Sequence, residues 1–156
     1  MRAAASDVTK VIATNRKATH DYSIDDRIEA GVALVGSEVK SLRAAHVVLA
    51  DGWVEIRKGQ AFLHGVQIQE YSQANRWGHE IARSRKLLLH KHEIHKLATK
   101  TQIKGYTLIP LALYFKGHRV KVELGLVTHK KQHDKRAAKK QADDQREIDR
   151  AIKRAR

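Results

Sequence analysis

Apolar residues recur at two spacings along this chain, and the first spacing predicts a sheet of short strands. The clearest case is the run RVKVELGLV, in which Val120, Val122, Leu124 and Leu126 alternate with polar residues or glycine. This two-residue period is typical of a strand with one buried face. The segments predicted as strands are 22–35, 53–56, 61–68, 107–115 and 119–127.

The second spacing, three or four residues, predicts two short helices. Val39 and Leu42 share one helical face, as do Ile94 and Leu97 further along the chain. The predicted helices span residues 37–43 and 91–100. Pro110, the only proline, has no amide hydrogen, so it predicts an edge position or a bulge in its strand.

The order and shortness of these elements favour a mainly β fold with accessory helices. Five or more short antiparallel strands with two helices fit a small closed or nearly closed barrel, and an open sheet with helices on one face is the alternative. The expected organisation is a flexible N-terminus, a barrel domain and a basic C-terminal tail. Their boundaries are 1–10, 11–128 and 129–156.

The tail differs from the barrel domain in composition. It carries eleven Lys or Arg against five Asp or Glu, and its only large apolar residues are Ile148 and Ile152. Such a segment buries too little apolar surface to order itself alone. Pairs such as Asp149 and Lys153 add only about 0.3–0.5 kcal/mol each to a helix. We therefore expect disorder in isolation and a helix on an RNA surface, with a merely solvated tail as the alternative.

The overall charge narrows the class of partner. A net charge of +14 and a pI near 10.2 favour a polyanion, although a basic surface can also serve solubility alone. An anionic membrane is the rival partner, but no apolar run approaches the roughly 20 residues that span a bilayer. The chain has no cysteine, and its first ten residues lack a signal-peptide core. A cytoplasmic RNA-binding protein is the expected class.

Ten histidines raise the possibility of a metal site or an enzyme. His92 and His95 flank Glu93 and Ile94, a spacing one residue shorter than the His-Glu-x-x-His pattern of zinc proteases. No third ligand and no nucleophile or phosphate-loop motif accompanies them. We therefore expect no catalytic residue, metal or cofactor; a histidine-dependent ribonuclease is the remaining enzymatic alternative.

Basic and aromatic residues are the stronger candidates for function. Basic side chains can contact phosphates, and an exposed aromatic ring can stack on an unpaired base. Trp77, in the polar loop 69–86, is either such a stacking residue or a hydrophobic plug beneath the loop. Trp53 is expected in the core, and His64 is expected to be a hydrogen-bonded structural residue. The candidates around them are Asn15, Arg16, Lys17, Arg43, Arg76, His79, Arg83, Arg85 and Lys86.

Several long segments, in order, resemble the SsrA-binding protein family, also called small protein B. They are IATNRKATHDY from Ile12, EAGVALVGSEVKSLR from Glu29, RKLLLH from Arg85, LYFKGHRVKVELGL from Leu113 and KKQHDKR from Lys130. The resemblance runs from about Ile12 to the end of the chain. It implies an oligonucleotide-binding (OB)-type barrel with accessory helices and a non-enzymatic role in bacterial trans-translation. A ribosomal protein or general RNA chaperone with the same barrel is the alternative.

The resemblance also implies specific partners. In this family the barrel holds the tRNA-like domain of transfer-messenger RNA (tmRNA), and elongation factor Tu escorts the aminoacylated complex into stalled ribosomes. The tail then enters the empty messenger channel as a helix and engages the decoding centre of the small subunit. We expect a monomer with these partners and no membrane association.

By matching position, the resemblance implies RNA binding by Asn15, Glu29 and Leu88, with neighbouring basic residues in support. Glu29 would orient an arginine or accept a hydrogen bond from a base or a 2′-hydroxyl, and Leu88 would act by packing or by apolar contact with a splayed base. The complete predicted RNA-binding set is Asn15, Arg16, Lys17, Glu29, Arg43, Arg85, Lys86 and Leu88. The predicted ribosome-binding residues of the tail are Lys130, Lys131, His133, Asp134, Lys135 and Arg136.

The chain departs from the usual family pattern at three places. His129 stands before the Lys-Lys pair, where the family usually has glycine, and it is expected to stiffen the junction between barrel and tail. Gly52 and Trp53 replace a typical Ser-Tyr, which keeps an aromatic residue but adds flexibility. The loop 78–84 also lacks prolines that are common in the family.

Overall fold

The computed structural model describes residues 8–70, 80–130 and 132–155, with the backbone alone for 132–135, 137 and 138. The strands are β1 (Thr9–Thr14), β2 (Tyr22–Val32), β3 (Val47–Val48), β4 (Trp53–Arg57), β5 (Gln60–His64), β6 (Gln67–Ile68), β7 (Arg85–Leu88), β8 (Tyr106–Lys116) and β9 (Arg119–His129). The helices are α1 (Arg16–Asp21), α2 (Gly36–Arg43), α3 (Lys91–Thr101) and α4 (Gln132–Arg154).

Six antiparallel strands close into a barrel. Their order is β8-β4-β5-β7-β2-β9, and β9 pairs again with β8 to complete the ring. The β4–β8 join is narrow, with Val54 opposite Leu108, whereas β9 pairs along most of β2 and β8. β1 adds to β8 outside the ring, and β3 and β6 form a separate ribbon. The closed barrel confirms the prediction over its open-sheet alternative.

The barrel interior is aliphatic, as the alternating pattern predicts. Val122 and Leu124 of β9 are fully buried, and Leu63 and Leu87 come from the opposite side of the ring. Leu97 of α3 joins the same cluster, so the helix lies against the barrel through its apolar face. Because these side chains fill the interior, a ligand can bind only to the outer surface of the barrel.

Two elements near the N-terminus differ from the prediction. Residues 9 and 10, assigned to a flexible terminus, belong to β1, while residues 1–7 lie outside the described residues. The unpredicted helix α1 is capped by Asn15, whose side-chain oxygen accepts a hydrogen bond from the Ala18 amide at 3.2 Å. A polar cap, rather than an apolar period, thus defines this short helix.

The strand β8 contains the bulge that Pro110 predicts. The β8–β9 register shifts between Pro110 and Ala112, so Leu111 has no partner in the ladder. A Cβ atom at Gly125 would lie 2.8 Å from Cδ1 of Leu111, so the glycine makes room for the bulged leucine. This bulge places the Pro110 carbonyl 2.9 Å from the Asn15 side-chain nitrogen.

The tail is a helix that begins directly after the barrel. Its first anchor is Lys130, whose amide donates to the Asp21 carbonyl at 3.0 Å. Ile148 and Ile152 of α4 remain 52% and 53% exposed, and every other α4 side chain that the structure describes is exposed as well. The structure therefore contains the helix that the sequence predicts for the bound tail; disorder of the isolated tail stays a prediction.

Candidate nucleic-acid interface

A groove of about 640 Å³ on the outer barrel wall brings two of the predicted RNA-binding residues together. Glu29 and Leu88 both line it, although 59 positions separate them in the chain. Gly31 of β2 pairs with Leu88 of β7 on one side and with Lys121 of β9 on the other. Because side chains two residues apart on a strand share a face, Glu29 projects from the same face as this row.

Leu88 is an exposed apolar platform at one end of the groove. Its side chain is 56% exposed and lies over Gly31, where a Cβ atom would come within 3.2 Å of the leucine Cβ. The missing side chain at Gly31 thus lets Leu88 lie flat against the sheet. An apolar surface in this position can receive the face of an unstacked base, which favours contact over internal packing for Leu88.

Glu29 is held as an ionised acceptor beside this platform. The Tyr114 hydroxyl donates a hydrogen bond to its carboxylate, and Lys116 Nζ lies 3.5 Å from Oε1. The Tyr114 hydrogen bond lowers the pKa of Glu29, and the charges of Lys116 and Lys121 add to this effect against the opposing effect of burial. The groove therefore presents a fixed carboxylate to donor groups of a ligand.

Basic residues surround this carboxylate. Lys121 and Arg119 line the groove from β9, and Lys86 is exposed on β7. Residues 85–88 alternate between buried and exposed positions, so Lys86 projects from the same face as Leu88. This combination of an apolar platform, one carboxylate and surrounding cations suits a nucleotide whose phosphates lie at the rim.

The same alternation buries Arg85, which corrects its predicted direct contact with RNA. Its guanidinium is 0% exposed, and Nε donates to Oε2 of Glu38 at 2.5 Å. Nη1 donates to the Val66 carbonyl at 2.9 Å and Nη2 to the Ile81 carbonyl at 3.1 Å. Arg85 therefore joins β7, α2 and neighbouring loops as a buried structural residue.

Glu38 is the buried partner of Arg85, and sequence reasoning did not identify it. It is fully buried, and Oε1 accepts hydrogen bonds from Arg83 Nη2 at 2.5 Å and from the Val35 amide at 3.0 Å. Burial opposes its ionisation, but the hydrogen bonds from Arg83, Val35 and Arg85 prevail and lower the pKa of Glu38. Its only signal in the sequence is its place in the first turn of α2, where acidic residues are common.

Asn15 is a positioning residue rather than an exposed contact. It is 6% exposed, caps α1, and donates from Nδ2 to the Pro110 and Leu49 carbonyls at 2.9 and 3.4 Å. The helix that it fixes exposes Arg16 and Lys17 to solvent. Asn15 thus holds two predicted RNA-binding cations in place.

Asn15 and Lys17 line a second cavity of about 370 Å³ at the base of the tail. Trp53 forms part of its wall and is 47% exposed, so its predicted place in the core was wrong. The indole stacks on His64 with the ring centroids 4.5 Å apart. His64 in turn hydrogen-bonds to Glu55 at 2.9 Å and to Ser84, which confirms its structural role.

The junction between barrel and tail is fixed by contacts from α1. Lys130 Nζ donates to the Thr19 carbonyl at 2.9 Å, and His129 lies against Tyr22 with ring centroids 4.4 Å apart. These contacts support the expectation that a histidine in place of glycine stiffens the junction. Beyond it, Arg136 is exposed on α4.

The remaining predicted residues either do not line the groove or have side chains outside the described residues. Arg43 is exposed at the end of α2 and lines neither the groove nor the second cavity. His133, Asp134 and Lys135 belong to α4, but their side chains lie outside the described residues. The other positions outside them are Arg76, Trp77, His79 and Lys131.

The histidines do not assemble a metal centre in the part of the chain that the structure describes. Within residues 8–70, 80–130 and 132–155, no group of three or more His, Asp or Glu side chains could hold a metal ion. His90 and His92 instead stack with ring centroids 5.5 Å apart, and His92 and His95 are exposed on α3. Across the same residues, no helix has the length and apolar character to cross a bilayer.

Comparison with known proteins gives a consistent result. A family model described as SmpB protein matches residues 12–154. An SsrA-binding protein from Streptomyces avermitilis is 51% identical over 143 residues, covering 92% of this chain and 81% of the relative. A second SsrA-binding protein, from Geobacillus thermodenitrificans, is 50% identical over 144 residues and covers 92% and 93% of the two chains.

A solved structure agrees with the sequence relatives. It is described as "tmRNA-SmpB: a journey to the center of the bacterial ribosome", and its matching chain is 43% identical with a TM-score of 0.67. The match covers 77% of this chain and 85% of that chain. This chain and the solved chain therefore share their fold.

Proposed function

The chain belongs to the SmpB family, and from this membership we propose that it is an RNA-binding adaptor of trans-translation. It binds tmRNA and brings it to stalled ribosomes. The observation that carries this proposal is the outer groove, where Glu29 and the exposed Leu88 lie together within a basic rim. Relatives are named for binding SsrA, and the solved neighbour is described with tmRNA and the ribosome.

The barrel and the tail divide the work in this proposal. The groove binds the tRNA-like domain of tmRNA, with Glu29 accepting hydrogen bonds, Leu88 supporting a base and Lys86 contacting phosphate. Arg16 and Lys17 extend the basic surface from α1. Arg43 contributes a further phosphate contact at the end of α2.

The tail acts on the ribosome. We propose that α4 enters the messenger channel when no messenger occupies it, and that its first turns engage the decoding centre. Its exposed side chains and the net positive charge of residues 129–156 suit a channel walled by RNA. The residues proposed for this contact are Lys130, Lys131, His133, Asp134, Lys135 and Arg136.

The remaining partners follow from the same role. The complex arrives with elongation factor Tu bound to aminoacylated tmRNA, and the protein acts as a monomer in the cytoplasm, where ribosomes work. It performs no chemistry of its own, so the proposal assigns it no catalytic residue, cofactor or metal.

The RNA that accompanies the protein in its own cells tests this proposal. The tagged protein is crosslinked in cells, purified in high salt, and its bound RNA is sequenced. We expect tmRNA to be enriched over other tRNA-like RNAs, and the enrichment to fall in a Glu29→Ala, Leu88→Ala variant. A ribosomal or general RNA-binding protein would instead recover rRNA or a broad mixture, and that result would contradict the proposal.

A further inference from the structure

Tyr114 is a buried residue of β8 whose hydroxyl reaches the groove. Its ring is 8% exposed, and the hydroxyl donates to Oε2 of Glu29. In the ladder, Tyr114 pairs with Lys121 of β9 and with Val11 of β1, so strands on both sides fix its position. Burial and the hydrogen bond to Glu29 raise the pKa of Tyr114, which keeps the hydroxyl a donor.

Glu29 needs such a partner because a second carboxylate stands directly opposite. Glu29 of β2 pairs with Glu123 of β9, and like charges in this position repel each other. Arg27 Nη1 donates a hydrogen bond to Oε1 of Glu123 at 2.7 Å, so Glu123 has a cationic partner of its own. Glu29 has the Tyr114 hydroxyl as its hydrogen-bond donor. Lys116 Nζ lies 3.5 Å from Oε1 of Glu29, which is too distant for a strong hydrogen bond.

The remaining acceptor capacity of Glu29 defines what it can recognise. An ionised carboxylate accepts about four hydrogen bonds and donates none. Tyr114 occupies one site on Oε2, so Oε1 keeps most of its capacity. A carboxylate repels phosphate, but it can accept from the imino or amino groups of a base and from a ribose 2′-hydroxyl.

We infer that Tyr114 is a positioning residue for RNA recognition: it holds the Glu29 carboxylate oriented to accept hydrogen bonds from an unpaired nucleotide whose base rests on Leu88. This inference rests on the proposed function and deepens it. The groove would then bind the edge of a nucleotide that carries hydrogen-bond donors, and the surrounding lysines and arginines would contact the phosphates.

A double-mutant cycle tests the inference. The variants are Tyr114→Phe, Glu29→Ala and their combination, and the probe is the isolated tRNA-like domain of tmRNA. One hydrogen bond contributes about 0.5–1.5 kcal/mol, so Tyr114→Phe should weaken binding about 2- to 12-fold. In the Glu29→Ala background, which has no side-chain acceptor for the tyrosine hydroxyl, the same change should have little further effect.

Tyr106 supplies a matched control on the same strand. The nearby Asp25 carboxylate raises the pKa of Tyr106, and neither residue lines the groove. Tyr106→Phe therefore removes a tyrosine hydroxyl that interacts with a carboxylate away from the groove, and it should leave RNA affinity unchanged. Thermal unfolding of all variants identifies any loss that comes from misfolding, and affinities are compared well below the melting temperature.

A pH profile adds a readout that a purely structural tyrosine would not move. The ionisable groups facing Glu29 are Tyr114 and Lys116 of β8, and Lys121 and Glu123 of β9; His90, Glu93 and Arg119 also line the groove. Without Tyr114 the pKa of Glu29 rises, so acid-induced loss of binding should begin at a higher pH in Tyr114→Phe. The difference should vanish when Glu29→Ala is also present, because no carboxylate then titrates at this position.

The outcomes separate this inference from the proposed function. Unchanged affinity in Tyr114→Phe, or a loss of the same size with and without Glu29→Ala, would overturn the positioning role while wild-type binding upholds the function. Failure of the wild-type protein to bind the tRNA-like domain above an ordinary tRNA control would overturn both. Undiminished binding by Glu29→Ala would overturn the inference alone.

Discussion

Replacing Glu38 with glutamine should destabilise the protein strongly, because it leaves the Arg85 guanidinium buried without its counter-charge. The Glu38 and Arg85 side chains are both 0% exposed, and Arg85 Nε lies 2.5 Å from Glu38 Oε2. Breaking a buried ion pair costs about 3–5 kcal/mol. Carbonyl groups still accept from Arg85 in the variant, so we expect the lower half of this range. At about 2–4 °C per kcal/mol, the melting temperature should fall by about 6–16 °C.

Thermal and urea unfolding, followed by circular dichroism, measure this effect. Glu123→Gln is the control, since Glu123 pairs with Arg27 at 2.7 Å on the surface and such pairs contribute up to about 1 kcal/mol. The pKa of Glu38 is lowered on folding, so its contribution is present above the unfolded value near 4.5 and is lost as the pH falls through the folded pKa. The gap between wild type and Glu38→Gln should therefore narrow on acidification. A variant no less stable than Glu123→Gln would refute the reasoning.

The groove and α1 give two further predictions. Gly31→Ala should weaken tmRNA binding, because the new methyl group would lie 3.2 Å from Leu88 Cβ and displace the leucine slightly. Filter binding measures this effect, and Gly36→Ala, whose new methyl group meets no atom within 4 Å, is the control. Asn15→Ala should lower the free energy of unfolding by about 1–3 kcal/mol, because it removes the helix cap and the hydrogen bond to the Pro110 carbonyl. Lys17→Ala should instead lower RNA affinity without changing stability. Equal stability of Asn15→Ala and wild type would contradict the first half of that contrast.

Strong alternation made β9 predictable from the sequence. Residues 119–127 lie within β9, because a barrel wall with one buried face imposes a two-residue period. Residues 107–115 lie within β8, whose nearly continuous apolar run indicated a strand without alternation. β1 escaped prediction because Val11, Ile12 and Ala13 are consecutive apolar residues at the edge of the sheet, where Val11 is exposed.

The direction of single side chains was harder to predict. β7 has only four residues, too few to show a period, so the burial of Arg85 follows from pairing with β2 and β5 rather than from local sequence. Trp53 is exposed because its neighbour across the β4–β5 ladder is His64, on which it stacks. Residue type alone suggests the opposite placement for both.

Only part of the site was predictable from the sequence. The family resemblance supplied Glu29 and Leu88, and the structure places both in one groove. Their partners, Tyr114 and Gly31, are ordinary strand residues in the sequence. Only the strand register brings them beside the site, so no local motif could have indicated them.

Separating the barrel from the tail tests the central claim most directly. Truncation after Lys130 removes α4 but keeps β9 and the contacts of Lys130 with α1. The truncated protein should bind tmRNA within about tenfold of wild type, or about 1.4 kcal/mol, yet fail to support peptide tagging on stalled ribosomes in a reconstituted system. Loss of tmRNA binding together with tagging, or tagging that survives without the tail, would contradict the account.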